Sequence, residues 1–324
     1  MLEGSRMKLR TYVNGDEARL ADLFNRCFAG GIMRSETSWK WRFIDKPNFD
    51  PEGVIVAEDG GRIKGYIVGV PRKQHLFKGK KIKIVLGDDF CVSPDARGAG
   101  LAARLLRGLM TFAEKEDALL LGYVGKGGQG HELATKLGMS DVYEYLALRR
   151  VACTGIVSST QSGQYWKEPT VRRFSDKDTD RVIDFLNSVN SEKAPAPALD
   201  RSEYRWRYLT YQNCSGDSIF LAEERGQIAG HVAISRHPTS TEPFMIISEP
   251  CGEIQKIIQS IEEIKGYSTN VVTSPRNLSQ YESLGFSLVG RGTVVVSDYT
   301  GLDVLQAAKG MEWYLFPESI FGAP

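Results

Sequence analysis

The chain repeats itself. SETSWKWRF, starting at Ser35, is echoed by RSEYRWRY, with Trp206 standing 165 positions after Trp41 and Arg207 165 after Arg42. The same offset runs through the next segment: Ala57-Glu58 over Ala222-Glu223, Gly61 over Gly226, Ile63 over Ile228 and Gly65 over Gly230. One aromatic match arises easily by chance, but an unbroken offset across a helical and a hairpin segment does not. Further on, KLGM at Lys136 is matched by SLGF at Ser283, where the offset has fallen to 147, so the second copy is 18 residues shorter between these anchors. The missing piece lies where the first copy holds a long strand and the loop SPDARGAG.

Within a copy the order reads strand, helix, helix, several strands, helix, strand, helix, strand. Leu20, Leu23, Phe24 and Cys27 fall at helical spacing and predict a helix over residues 16–27. Ser35 is the expected N-cap of the next helix, and Pro47 follows its end. GVIVAEDGGRIKGYIVGV predicts a hairpin around its DGG turn. KKIKIVLGDDFCV is expected as a long strand, LAARLLRGLMTFAEK as an amphipathic helix, and ALLLGYV and VYEYLALRRV as strands. Residues 154–168 lack periodicity and read as a linker. MLEGSR reads as a non-native leader before Met7.

Composition removes several function classes. Lys plus Arg balance Asp plus Glu at 41 to 40, so no global field draws the chain to nucleic acid or to an anionic membrane. No apolar run approaches the length of a membrane span and no signal peptide is recognisable, so a soluble, cytoplasmic protein is expected. The five cysteines are scattered without a CxxC, and the four histidines show no paired-ligand spacing; neither a disulfide framework nor a metal site is expected.

In SPDARGAGLAARLL a strand turns through two glycines into a helix. Helix starts present unsatisfied N–H groups aligned with the helix dipole, and glycines let a ligand come close to the main chain. Arg97 adds a cation at the rim, so the loop suits a diphosphate. On composition alone, a plain tight turn before a helix explains it equally well.

VSPDARGAGLA resembles the acyl-CoA pyrophosphate motif of the GNAT superfamily of N-acyltransferases, (Q/R)-x-x-G-x-(G/A), with Arg97, Gly100 and Ala102 on its defining positions. Val92 and Pro94 match the V-x-P that closes the preceding strand in that family. Lys136-Leu137-Gly138-Met139 resembles its K-x-G-F. The resemblance implies an α/β (α+β) fold of two tandem GNAT-like domains, each a mixed, mostly antiparallel sheet flanked by helices. Residues 7–153 would carry the acyl-CoA loop and residues 169–324 a degenerate copy.

By the same resemblance the chain transfers an acetyl group from acetyl-CoA to a primary amine of a small molecule or peptide, by direct attack in a ternary complex. Phe90, Cys91 and Val92 would line the pantetheine, and Arg97, Gly98, Ala99, Gly100, Leu101 and Ala102 would hold the phosphates. Asp88 and Asp89 lie where the family often keeps an acid that deprotonates the amine; adjacent strand residues face opposite ways, so one of the two is expected at the site. The family's thiolate-protonating tyrosine is replaced by Ala134, and Tyr143, Tyr123 or His131 stand as substitutes. Copy two has Tyr281 and Asn277 at the family's positions but no phosphate loop. A catalytically inactive acyl-CoA-binding or protein-interaction module is the alternative.

GKGGQG satisfies G-x-G-x-x-G, but the acidic residue a dinucleotide fold needs at the end of the next strand is missing, since VYEYLALRRV ends in two arginines. Trp39 and Trp41 recur as Tyr204 and Trp206 in the copy without the loop, which favours a core role over a substrate platform. GGIMRS and SEKAPAPALD differ between the copies where the acceptor pocket is expected. The aromatic tail MEWYLFPESIFGAP is expected to pack on a domain or to support a homodimer.

Overall fold

A computed structural model describes residues 7–28, 33–151, 170–210, 218–237, 244–261 and 267–315. The leader, the linker, Cys153, Cys214, residues 30–32 at the start of GGIMRS and the chain beyond 315 lie outside the described residues. The strands are β1 (Lys8–Thr11), β2 (Val54–Asp59), β3 (Arg62–Phe77), β4 (Lys80–Val92), β5 (Ala118–Gly125), β6 (Ser140–Arg150), β7 (Thr170–Arg173), β8 (Ala196–Pro197), β9 (Ile219–Glu224), β10 (Gln227–His237), β11 (Phe244–Gly252), β12 (Thr269–Thr273) and β13 (Ser287–Asp298). The helices that position the site are α1 (Glu17–Cys27), α2 (Glu36–Trp39), α3 (Leu101–Lys115) and α4 (Gln129–Lys136). Their second-half counterparts include α5 (Thr179–Asn190), α6 (Arg201–Tyr204) and α7 (Ile254–Ser260).

All of these strands join one sheet, in the order β1-β2-β3-β4-β5-β13-β6-β12-β11-β10-β9-β7, with β8 attached to β3. Pairing is antiparallel except at β4–β5 and β11–β12. The order reads the same from both ends, with the last strand of each half exchanged. β13 runs against β5 from Gly292↔Gly125 to Asp298↔Leu119, and β6 runs against β12 from Thr269↔Arg150 to Thr273↔Leu146. Val294, Val295 and Val296 of β13 are therefore buried in clusters built mainly from the first half.

The repeat extends to hydrogen bonds. In the first half Arg10 binds Asp16 and Glu58, both at 2.6 Å, and Arg19 binds the same two carboxylates at 3.4 and 3.2 Å. In the second half Arg172 binds Asp178 and Glu223 at 2.7 and 2.9 Å, and Arg181 binds them at 3.3 and 3.0 Å. Asn25 and Asn187 each clamp a loop in two directions, Asn25 through the backbone of Arg34 and Asn187 through that of Leu199.

Ser35 caps α2 as expected, its Oγ accepting from the Ser38 N–H at 3.0 Å. Both α2 and α6 then widen into a π-turn, Lys40–Ile44 and Arg205–Leu209. These turns bring Trp41 and Trp206 together across the halves, stacked at 5.2 Å between ring centroids with 15° between planes. Trp206 Nε1 donates to the Trp41 carbonyl at 2.9 Å. Trp39 and Tyr204 are fully buried in the cores of their own halves. The tryptophans are thus packing residues and the seam between the halves.

The sheet carries α1 and α2 on one face and α3 on the other. Leu101, Leu105, Leu109 and Phe112 form the buried stripe of α3, at i, i+4, i+8 and i+11. Gly69 on β3 lets this helix sit close: a Cβ there would stand 2.2 Å from Leu109 Cδ1. No helix among the described residues is long and apolar enough to cross a membrane.

Candidate active site

β4 and β5 pair in parallel only from Lys83↔Ala118 to Gly87↔Gly122. Beyond that point β4 stays with β3 and β5 stays with β13, so the two part and open a cleft of about 890 Å³. Its walls come from the ends of β4 and β5, the turn into α3, α4, and Phe24 and Cys27 of α1.

A β-bulge shapes one wall. Tyr66 pairs with Cys91 and Val68 with Asp88, so a single residue of β3 faces two of β4. Asp89 takes φ +32°, and neither it nor Phe90 has a register partner on β3 or β5. The bulge also overturns the expectation that adjacent aspartates face opposite ways. Both turn toward α1 and α2, and both line the cleft.

Each carboxylate meets a buried arginine. Asp88 takes both its oxygens to Arg42 Nη2, at 3.1 and 2.8 Å, and accepts the Asp89 N–H at 2.8 Å. Asp89 binds Arg34 Nη2 at 3.1 Å and accepts a longer bond from the Tyr66 hydroxyl at 3.4 Å. All four ion-pair side chains are at most 6% exposed. Burial opposes the charge on Arg34, yet the Asp89 carboxylate more than offsets it and leaves the pKa of Arg34 raised. Burial, reinforced by Asp89, pushes the Tyr66 hydroxyl well above its ordinary value, so it remains a donor.

At the other end, Pro94–Ala96 forms a 3₁₀ turn and the chain enters α3 through Gly98 at φ +84° and Gly100 at φ +71°. A Cβ at either glycine would meet nothing within 4 Å. Packing therefore does not demand glycine there; the left-handed backbone does. Lys64 and Ser93 both hold Asp95 at 2.5 Å, which lowers its pKa to about 2 and pins the turn. Arg97 is exposed and donates from Nε to the Val92 carbonyl at 3.2 Å.

Asp88, Asp89, Phe90, Val92, Arg97, Gly98, Gly100, Leu101 and Ala102 are thus brought to one cleft. Cys91 and Ala99 are not among its lining residues: Cys91 alternates away from Phe90 and Val92 into the core beneath α1. Tyr143 is also outside the lining, because β13 separates β6 from β5; its hydroxyl donates to Ser274 Oγ at 2.7 Å. Burial raises its pKa. Tyr123 does line the cleft and donates to the Tyr314 carbonyl at 3.0 Å. His131 accepts the Gly127 N–H at Nδ1, which puts its proton on Nε2, 2.9 Å from Asp141. Ala134 is a buried wall residue, and Tyr281 is fully buried in the second half's core. Sequence reasoning did not single out Arg34, Arg42 or Tyr66; Arg42 left a trace as part of the repeated WxW-R motif and Arg34 as part of GGIMRS, while Tyr66 left none. Among the described residues, no three His, Cys, Asp or Glu side chains converge as a metal ligand set.

Residues 18–139, which supply nearly all of this cleft, match the family model described as "Acetyltransferase (GNAT) family". Residues 18–139 carry a GNAT-family acetyltransferase domain. By family it is an acyltransferase. The whole chain is similar in fold to Saccharomyces cerevisiae N-myristoyltransferase solved with bound myristoyl-CoA, with TM-score 0.67 and 13% identity over 92% of this chain and 80% of that one. It is similar too to a GCN5-related N-acetyltransferase from Sphaerobacter thermophilus, with TM-score 0.60 and 15% identity over 91% of this chain and 96% of that one. A GCN5-related N-acetyltransferase from Anabaena variabilis gives TM-score 0.61 and 13% identity over 91% and 73% of the two chains. No curated protein matches the sequence. The GNAT match ends at Met139, one residue before the exchanged strand β6.

Proposed function

We propose that the chain transfers an acyl group, acetyl in the first instance, from acyl-CoA to a primary amine that attacks the thioester directly. The observation that carries this reading is the meeting, in one cleft, of a parted strand pair, a bulge and a left-handed helix start. The diphosphate sits at Arg97, Gly98 and Gly100, where free N–H groups and a cation favour an anion. The pantetheine follows Phe90 and Val92 between β4 and β5. The thioester then reaches the bulge, where Phe90 has no register partner and its backbone is available to the reacting carbonyl.

A protonated amine cannot attack, so its proton must leave first. Asp88, held at both oxygens by Arg42 and capped by the Asp89 N–H, acts as a positioning residue that fixes the bulge. Asp89, with one oxygen on Arg34 and the other on a long bond from Tyr66, is the acceptor of the amine's proton. The departing CoA thiolate resembles a free cysteine thiolate, with a conjugate pKa of about 8.5, and leaves without an acid. Tyr143 has no part in this scheme; Tyr123 is the cleft phenol that serves if an acid is used.

Two copies, residues 7–153 and 169–324, with one site in the first, describe the organisation; the repeated ion-pair networks support this. The free thiols of Cys27 and Cys91 fit a reducing cytoplasm. The acceptor is tested by thiol release from acetyl-CoA with a panel of polyamines, aminoglycosides and peptide N-termini. Release with at least one amine, lost in Asp89→Asn, supports the reading; release with none would sink it.

The second reading, an acyl-CoA-binding module without turnover, draws on Ala134 and on the arginine held by each aspartate. It predicts a thermal shift with acetyl-CoA and no thiol release.

A further inference from the structure

The cleft has an aromatic side that the acyl-CoA scheme leaves unassigned. Phe24 on α1 and Phe28 just beyond it both line the cleft, with ring centroids 4.7 Å apart and planes tilted by 40°. Phe28 is 45% exposed, and Met33, where the described chain resumes after residue 28, is 47% exposed. The Arg34 guanidinium carbon stands 4.5 Å from the centre of the Phe24 ring, so the aromatic pair adjoins the Arg34–Asp89 ion pair. An exposed aromatic at the mouth of a cleft is apolar surface that a ligand can cover.

The repeat shows that the scaffold does not ask for these rings. Asn25 and Asn187 make the same loop clamp, and counting from them Leu186 stands for Phe24 and Asn190 for Phe28. Both are fully buried, in the half that has no glycine turn.

Charge supplies a second constraint. Among the described residues lining the cleft, only Arg34, Asp88, Asp89 and Arg97 carry a formal charge. Asp89 is matched by Arg34 at 3.1 Å and Asp88 by Arg42 at 2.8 Å, while Arg97 adds a cation at the rim. One ammonium can approach Asp89 and lose its proton there. A second ammonium on the same molecule would leave water with no carboxylate to receive it, which is costly.

We propose that the acyl acceptor carries a single primary amine on an apolar, aromatic body, which packs on Phe28 and Phe24 while the nitrogen reaches Asp89. This rests on the acyl-transfer reading and names its acceptor class; polyamines and aminoglycosides fall outside it. Contact with the exposed ring supplies binding, and the balanced charge of the cleft supplies discrimination. Asp89 takes one proton from the ammonium, the nitrogen lone pair forms the amide bond as the C–S bond breaks, and the second proton lost from nitrogen reaches the CoA thiolate through solvent.

The test measures thiol release from acetyl-CoA by the full chain with benzylamine, a short peptide with N-terminal phenylalanine, ethanolamine and spermidine. The value of kcat/KM for benzylamine or the peptide should exceed that for ethanolamine and for spermidine about tenfold; the faster of the first two tells a free amine from a chain terminus, and either upholds the class. Phe28→Ala should cut the benzylamine-to-ethanolamine ratio about tenfold, through KM. Phe28→Asp should cut it too and raise spermidine relative to benzylamine, because it adds the carboxylate that the cleft lacks. Position 28 is exposed enough for both variants to fold, which their melting temperatures check. Spermidine or ethanolamine used as well as benzylamine and the peptide overturns the acceptor class and leaves acyl transfer standing. An unchanged ratio in Phe28→Ala overturns the role of the aromatic pair. Release with no probe, although acetyl-CoA stabilises the chain, overturns acyl transfer and the acceptor class together.

Discussion

In the first half, eight residues separate the end of β4 from the start of α3; in the second, Glu253 alone separates β11 from α7. α3 runs for 15 residues and α7 for 7. Around this difference the halves agree closely. The bulge that turns Asp88 and Asp89 together has a counterpart, since His231 pairs with Cys251 and Ala233 with Ser248, in the same two-against-three register. A bulge is therefore part of the scaffold and does not by itself make a site. What the first half has alone is the glycine turn, the long helix behind it, and an aspartate at position 88, where the second half has Ser248; Glu249 stands at the position of Asp89. Arg42 repeats as Arg207, which meets Glu203 at 3.6 Å and donates to the Tyr314 hydroxyl at 3.0 Å.

The largest effect should come from separating the halves. A chain of residues 7–153 lacks β13, leaving β5 with an open edge and Val294–Val296 missing from two cores. It is expected not to exist as a folded monomer. Light scattering should show a dimer in which a second copy's β6 takes the place of β13, or aggregation; a stable monomer would break the account of strand exchange.

Next in size is Arg42→Ala, which strands Asp88 in the core and should destabilise by about 3–5 kcal/mol. Arg42→Lys should recover part of that stability but not the fixed placement of the planar guanidinium, so thiol release stays low. Urea unfolding followed by thiol-release assays measures both. Stability recovered together with full activity would show that Arg42 only packs.

The smallest effect compares the two mirrored networks. Bonding to Arg172 outweighs burial and holds the Asp178 carboxyl at about 2; in Asp16, burial opposes the lowering but the bond to Arg10 prevails. A carboxyl lowered on folding adds stability that is full above its unfolded value of about 3.9 and is lost as pH falls through the folded one. Both networks should therefore be intact at pH 5; the Asp178 network fails between about pH 4 and 2, and the Asp16 network fails as pH falls below the ordinary carboxylate range. Asp16→Asn and Asp178→Asn should each flatten that acid limb by similar amounts in pH-dependent unfolding. Unequal flattening would show that the repeat is geometric but not energetic.

Much of this could be read from the sequence for physical reasons. The offset of 165, the Ser35 cap, the DGG hairpin and the glycine turn are local signals, and each appears where expected. Strand exchange left no signal, because each copy has the same strands whether its last one stays at home or crosses. The bulge depends on the register of a partner strand, so strict alternation wrongly sent Asp88 and Asp89 to opposite faces. Arg34 and Arg42 pair with carboxylates 46 to 55 residues away, a distance no spacing rule reports.

The claim that one half of a symmetric scaffold holds an acyl-CoA site is tested most directly by calorimetric titration of the chain with acetyl-CoA. One site per chain is predicted. Gly100→Val, which must bring a β-branched side chain into a left-handed turn at about 1–2 kcal/mol, should weaken binding at least about tenfold while the fold survives. Two sites per chain, or undiminished binding by Gly100→Val, would contradict the account.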